Sequence, residues 1–269
     1  MNYICEEMNL KKKDQRMNNL LLLLQESPDL SVRDLSEILN VSEMTIRRDL
    51  KYLKENNLFI RSHGIQIPVQ TPANVTNIEN EYTLRSERTK FYKEKQKIGQ
   101  FATTLISPND TLILDAGTTI AEMSRFIPEH MNLSITCYNY YTLTQLFQKE
   151  GVQITLAGGV LHKDDQMFES TYGNEMIRDR RASKFFMAAS GIHEALGITC
   201  AHNYEVLTKK AAMSSSLTTI LLADSSKFGL IRSAFVAPLS SVNAIITDDG
   251  ISEEWQEILR NMGIKLYIV

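Results

Sequence analysis

Two groups of residues in this sequence have the types and spacing to do chemistry. In the first, an apolar run ends in Asp115-Ala116-Gly117-Thr118-Thr119, a carboxylate, a glycine and two hydroxyls set just before an amphipathic stretch. Gly117 lets a backbone come close to a ligand, Thr118 and Thr119 offer hydroxyls, and the free N–H groups of a helix start favour an anion such as phosphate. A plain strand-to-helix connection capped by threonine fits the same five residues, so the turn alone decides nothing. Asn139, Gly158-Gly159 and Asp224-Ser225-Ser226-Lys227-Phe228-Gly229 each follow another apolar run, and the ends of strands are where open α/β sheets gather ligand groups. Lys227 suits neutralisation of a phosphate. Glu205 and Lys209 stand at i, i+4, either as a pair beside the ligand or as a surface salt bridge contributing about 0.2–0.5 kcal/mol.

The second group is cationic. Arg47, Lys51 and Lys54 recur at helical spacing, and Ile46, Leu50 and Leu53 recur beside them, rotated by about 100°. One face of such a helix packs while its neighbour stays positive. Ser42 can cap this helix. Ser31 can cap a preceding one, in which Val32, Leu35 and Leu39 form an apolar stripe ending near Asn40. Two capped helices joined by the tight connection Asn40 to Ser42 make a helix-turn-helix, whose second helix presents its first turns to the major groove of double-stranded DNA. Ser42, Met44, Thr45, Arg47, Arg48 and Lys51 are then the candidate contacts, with Arg47 expected to read a base edge and Arg48 to anchor on phosphate. Leu58-Phe59-Ile60 followed by Arg61, His63 and Gly64 suits a β-wing that adds Arg61 and His63; an ordinary solvated hairpin is the competing reading.

These groups need two kinds of scaffold. The chain to about residue 68 carries short amphipathic helical periods and is expected to be a small winged helix-turn-helix domain. Residues 69–83, with Pro72 and several asparagines, have linker composition. From residue 84 to 269, apolar runs at 111–114, 133–136, 152–156, 185–189, 219–223, 244–247 and 265–269 alternate with helical stretches at 120–126, 141–149, 204–215 and 253–262. That alternation predicts an open, mostly parallel α/β sheet covered by helices on both faces.

Composition sets the remaining bounds. The 269 residues suffice for two domains, and 43% hydrophobic with 23% charged residues is ordinary for a globular core. A net charge of -3 argues against nucleic acid overall, yet between Met44 and Gly64 five cations face two anions, a local +3. The 3 cysteines, Cys5, Cys137 and Cys200, are far apart and suggest reduced thiols. No histidine spacing suits a metal, no cofactor motif is present, and the run Leu20 to Leu24 is too short to span a bilayer. A cytoplasmic location with no membrane partner is expected.

The run Leu35 to Ser42, then Thr45-Ile46-Arg47-Arg48-Asp49-Leu50, then Arg61-Ser62-His63-Gly64, resembles the DNA-binding signature of the DeoR-type bacterial regulators. Asp115 to Thr119, Asn139, Gly158-Gly159, Glu205 with Lys209, and Asp224 to Phe228 resemble the sensor domain of that family, whose fold is similar to ribose-phosphate isomerases and sugar-phosphate deaminases. The likeness departs at Ile65, where a second glycine is usual, at Ala116, where serine is usual, and at Tyr140-Tyr141, which follow Asn139 in place of a small hydroxyl residue. It implies a repressor of carbohydrate or nucleoside metabolism genes, controlled by a phosphorylated sugar bound at Asp115, Gly117, Thr118, Thr119, Asn139, Gly158, Gly159, Glu205, Lys209 and Lys227. A homodimer or homotetramer is expected, because two recognition helices about 34 Å apart engage successive turns of DNA. Two other functions compete. One is a sugar-phosphate isomerase or deaminase with an added DNA-binding module, using Asp115 or Glu205 as acid or base; the other is a DNA-binding dimer without a ligand.

Overall fold

A computed structural model of the protein describes Arg16, Leu20, Leu23, residues 30–55 and residues 90–269. The chain divides into two units, Met1–Asn80 and Glu81–Val269. The expected linker and wing, with Arg61 and His63, lie outside the described residues.

In the first unit, helix α1 spans Val32–Ile38 and α2 spans Glu43–Glu55. Ser31 and Asp34 form a capping box: the Ser31 hydroxyl accepts from Asp34 N–H at 3.1 Å, and Asp34 Oδ2 accepts from Ser31 N–H at 2.9 Å. The far end closes with Asn40 at φ 51°, a left-handed residue type that asparagine tolerates. Val41 N–H reaches back to Ser36 O at 3.0 Å and Asn40 N–H to Glu37 O at 3.3 Å, the double closure of a Schellman turn. Leu20, Leu35 and Ile46 form the buried centre of this unit, with Val32, Leu39 and Leu50 against it.

The second unit begins with α3 (Tyr92–Thr103), then β1 (Thr111–Leu114), α4 (Thr118–Phe126), β2 (Leu133–Cys137), α5 (Tyr140–Leu146) and β3 (Val152–Leu156). A hairpin of β4 (Val160–His162) and β5 (Met167–Glu169) precedes α6 (Thr171–Asp179) and β6 (Ala182–Ala188). Then follow β7 (Gly191–His193), β8 (Gly197–Cys200), α7 (Asn203–Ser215), β9 (Ser216–Leu222), β10 (Ala234–Ala237), β11 (Ala244–Thr247), α8 (Glu253–Asn261) and β12 (Lys265–Ile268). Seven strands form one sheet in the order β12-β11-β9-β6-β1-β2-β3, with every pairing parallel. All seven apolar runs expected as strands lie in it.

Alternation along these strands feeds two cores. Ile113, Phe185, Met187, Leu221 and Ile245 point to one face, where Ile177 of α6, Ala211 and Ala212 of α7 and Leu259 of α8 cover them. Leu112, Leu114, Phe186, Ile220, Leu222 and Ile246 point to the other, beneath Ile98 of α3, Ile120 and Met123 of α4 and Leu146 of α5. Burial on both faces is why these strands read as continuous apolar runs. The antiparallel sheet β10-β8-β7 and the hairpin β4-β5 were not expected from the sequence. The chain enters the main sheet at β1, moves outward to β3, and returns to β6 on the other side of β1. A crevice therefore opens between the carboxyl ends of β1 and β6, the place where open α/β sheets hold ligands.

Candidate functional sites

On α2 the apolar and cationic faces separate as physical chemistry demands. Ile46 is fully buried, whereas Arg47, Arg48 and Lys51 are exposed and Met44 stands 77% exposed. Ser42 Oγ accepts from Thr45 N–H at 3.2 Å and lies 2.9 Å from Thr45 Oγ1, so both residues cap the helix start while remaining at the surface. Among the described residues Arg47 makes only a long, exposed i,i+4 contact of 3.4 Å with Glu43, which is weak enough to exchange for a phosphate or a guanine. Among the described residues no hydrogen bond or ion pair engages Arg48. Asp49, between these cations in sequence, is 1% exposed and accepts from Arg16 Nε at 2.7 Å.

A cavity in the second unit occupies the β1–β6 crevice. It is lined by Ala116, Gly117, Thr118, Thr119, Ala188, Ala189, Ser190, Glu205, Lys209, Ala223 and Lys227. Three strand ends supply it, β1, β6 and β9, together with one face of α7. Gly117 has φ 145°, and a Cβ there would stand 2.7 Å from the Ala188 Cβ; only glycine lets the β1 turn lie this close to the end of β6. No side chain caps the start of α4, so the amides of its first turn are left to a ligand. Lys227 approaches from the 3-10 turn Ser225–Lys227 after β9.

Beneath the lining, Asp115 ties the site together. Its Oδ1 accepts from Ala116 N–H at 2.8 Å and the Tyr138 hydroxyl at 2.6 Å. Its Oδ2 accepts from Ala188 N–H at 2.8 Å and Lys209 Nζ at 2.5 Å. Lys209 also donates to Ala188 O at 3.2 Å and lies 3.4 Å from Glu205 Oε2. Both members of the Asp115–Lys209 pair are sequestered, with side chains 0% and 2% exposed. Burial alone pushes the Lys209 pKa down, but Asp115 and Glu205 reverse this and hold the ammonium charged. Burial raises the Glu205 pKa, with Lys209 opposing and Asp115 reinforcing the rise. Burial, and then the Asp115 charge, likewise keep the Tyr138 phenol protonated.

The expected effector residues therefore fall into three places. Gly117, Thr118, Thr119, Glu205, Lys209 and Lys227 converge on the cavity. Asp115 is not part of its lining; all its acceptor positions are taken, and it braces the floor. Asn139, Gly158 and Gly159 do not line the cavity either. Asn139 caps α5, its Oδ1 accepting from Thr142 N–H at 3.0 Å and its Nδ2 donating to Asp165 O at 2.9 Å. Gly158 O accepts the Ser170 hydroxyl at 2.7 Å. Gly159 has φ 150°, and a Cβ there would meet the Glu169 carbonyl oxygen at 2.1 Å, so Gly159 admits the close return of the β4-β5 hairpin. The Glu205–Lys209 pair is buried, which removes the surface salt bridge reading. Sequence reasoning missed Ser190, 4% exposed in the lining, and Tyr138, whose hydroxyl supports Asp115.

A family model described as the DeoR C terminal sensor domain matches residues 90–249, and one described as the DeoR-like helix-turn-helix domain matches residues 16–67. The chain belongs to the DeoR family. It is 28% identical over 255 residues to the deoxyribose operon repressor of Escherichia coli (strain K12), covering 95% of this chain and 98% of that protein. It is 29% identical over 248 residues to a lactose phosphotransferase system repressor of Staphylococcus epidermidis, covering 91% of this chain and 96% of that one. Against the solved ribose 5-phosphate isomerase A of Methanocaldococcus jannaschii the TM-score is 0.39 at 12% identity, covering 52% of this chain and 55% of that one, too distant to bear on fold or function. Membership of the DeoR family makes the protein a DNA-binding transcriptional regulator and not an enzyme. Among the described residues no group of three or more His, Cys, Asp or Glu is placed to hold a metal, and no helix is long and apolar enough to cross a membrane.

Proposed function

We propose that the protein is a cytoplasmic repressor of carbohydrate or nucleoside metabolism genes whose grip on its operator is released by a phosphorylated sugar. The observation that carries this reading is the convergence of an uncapped α4 N-terminus, the Thr118 and Thr119 hydroxyls and the Lys227 ammonium on one crevice. The phosphate sits on the α4 amides beside Lys227, and the sugar hydroxyls face Glu205 and Ser190. On α2, Arg47 reads a base edge, while Arg48 and Lys51 hold phosphates.

The protein works as a homodimer or homotetramer, because one short recognition helix reads few base pairs. Tyr172, Leu217 and Phe235, which are 84%, 83% and 51% exposed, supply apolar surface of the kind such assemblies cover. The effector acts by binding the DNA-free and DNA-bound conformations with different affinity. The test is a gel-shift titration of the protein on DNA from its own promoter region, repeated with a panel of sugar phosphates. Release by at least one phosphosugar, and by none of the parent sugars, is expected. DNA binding that no phosphosugar alters would overturn the effector half of the proposal.

A further inference from the structure

Lys95 stands where an amphipathic helix ordinarily places an aliphatic side chain. α3 buries Lys95, Ile98, Gly99 and Ala102, a stripe at i, i+3, i+4 and i+7, and Lys95 is 1% exposed. An ammonium in such surroundings needs partners. Its Nζ donates to the Lys90 carbonyl at 2.8 Å and lies 3.8 Å from Asp224 Oδ2. Asp224 is itself fully buried. Its Oδ1 accepts the Ser226 hydroxyl, while its Oδ2 accepts no hydrogen bond. Lys95 thus faces that oxygen from just beyond hydrogen-bonding distance.

The two residues join places with different duties. Asp224 opens the turn whose Lys227 lines the cavity. Lys90 and Phe91 form the corner through which the chain, coming from the DNA-binding unit, enters α3. Phe91 has φ 53°, a left-handed conformation disfavoured for a bulky side chain. Lys95 holds this corner twice, by its backbone N–H to Phe91 O at 2.9 Å and by its ammonium to Lys90 O.

The other cavity wall meets α3 without slack. A Cβ on Gly99 would stand 2.7 Å from the Met123 nitrogen and 2.9 Å from its Cα. α3 and α4 therefore touch backbone to backbone, and α4 carries Thr118 and Thr119. So α3 is fixed against α4, which lines the cavity, and joined to the turn that brings Lys227 to the same cavity through the long Lys95–Asp224 pair.

Resting on the effector-site reading above, we infer that Lys95 is a relay. A phosphate that draws Lys227 toward the α4 N-terminus moves the 224–229 turn, changes the Lys95–Asp224 separation, and alters how firmly Lys95 holds the Lys90–Phe91 corner. Lys95 is a positioning residue and touches no ligand.

Hydrogen–deuterium exchange on the full chain tests this, with inorganic phosphate as the probe. In the wild-type chain, phosphate is expected to slow exchange at residues 118–121 and 224–229 and to change it at 90–95. Lys95→Met, close in shape but uncharged, is expected to keep the first two responses and lose the third; Asp224→Asn is expected to do the same, and Lys95→Arg to restore the third in part. A 90–95 response that persists in both uncharged variants overturns the relay and leaves the cavity reading standing. So does a wild-type response confined to the cavity, or a Lys95→Met variant that folds yet loses all three responses. A wild-type chain in which phosphate changes nothing at 118–121 overturns the cavity reading and the relay together. If one variant fails to fold, the other carries the comparison.

Discussion

On α2 the candidate DNA contacts are exposed, rest on a helix capped at its start by Ser42, and can be removed with little effect on packing. In the cavity they are buried, arrive from three strand ends and α7, and include an ion pair that also fastens the sheet. The first site is thus a surface grafted on a fold, whereas the second is part of its core. On the proposed reading the chain reads DNA with its surface and a metabolite with its interior, and a ligand in the second place would bear directly on core groups.

The sharpest test of the contrast is Lys209→Met. It leaves Asp115 buried without its cation, and loss of about 3–5 kcal/mol from the second unit is expected, read as a lowered urea midpoint. A midpoint unchanged from wild type would break the claim that this pair belongs to the core. Lys227→Ala comes next: removing a charge-assisted hydrogen bond is expected to weaken phosphosugar binding by about 1.5–3 kcal/mol, measured by calorimetry, while operator affinity without effector stays as it was. Arg47→Ala is the mirror case, with operator affinity falling by about 1–3 kcal/mol and sequence preference relaxing, and stability held within about 0.5 kcal/mol. Equal loss of stability in Arg47→Ala and Lys209→Met would erase the distinction between the sites. The smallest effect concerns pH. Burial raises the Glu205 pKa above its ordinary 4.5, so the folded state holds the extra proton between the two values and stability falls as pH rises through that window. Glu205→Gln, neutral throughout, is expected to flatten this slope in urea midpoints taken across the acid range.

The two helices of the first unit were legible because their signal is local: caps, turn and two stripes lie within residues 31–54, and helical spacing sorts them. The main sheet was legible for a related reason, since strands buried on both faces leave continuous apolar runs. β6 nevertheless starts three residues before the apolar run expected at 185–189, because Ser183 and Lys184 pair with Asp110 at 2.7 and 2.5 Å and so enter the strand as polar residues. Strands of three residues, such as β4, β5 and β7, are too short to show a period. The cavity was only half legible. A polar residue after a strand can line a cavity, as Thr118 does, or cap the next helix, as Asn139 does, and spacing does not separate the two. Nor does an i,i+4 Glu–Lys pair reveal its depth. Lys95 did leave a trace, a lysine at a core position of its own helix, hidden among the neighbouring lysines Lys93 and Lys97.

The pairing of Asp49 with Arg16 changes the electrostatics that an approaching polyanion meets. Counted along the chain, Asp49 subtracts from the positive charge of α2; in the folded unit it is covered and already matched by a cation from another stretch of chain. A polyanion approaching α2 would therefore meet arginines whose adjacent acid is shielded, and the family signature can keep an aspartate next to its two arginines at little electrostatic penalty. A minimal DNA-binding fragment begun downstream of residue 16 would leave this carboxylate without its guanidinium, and should bind more weakly although every residue facing the groove is intact.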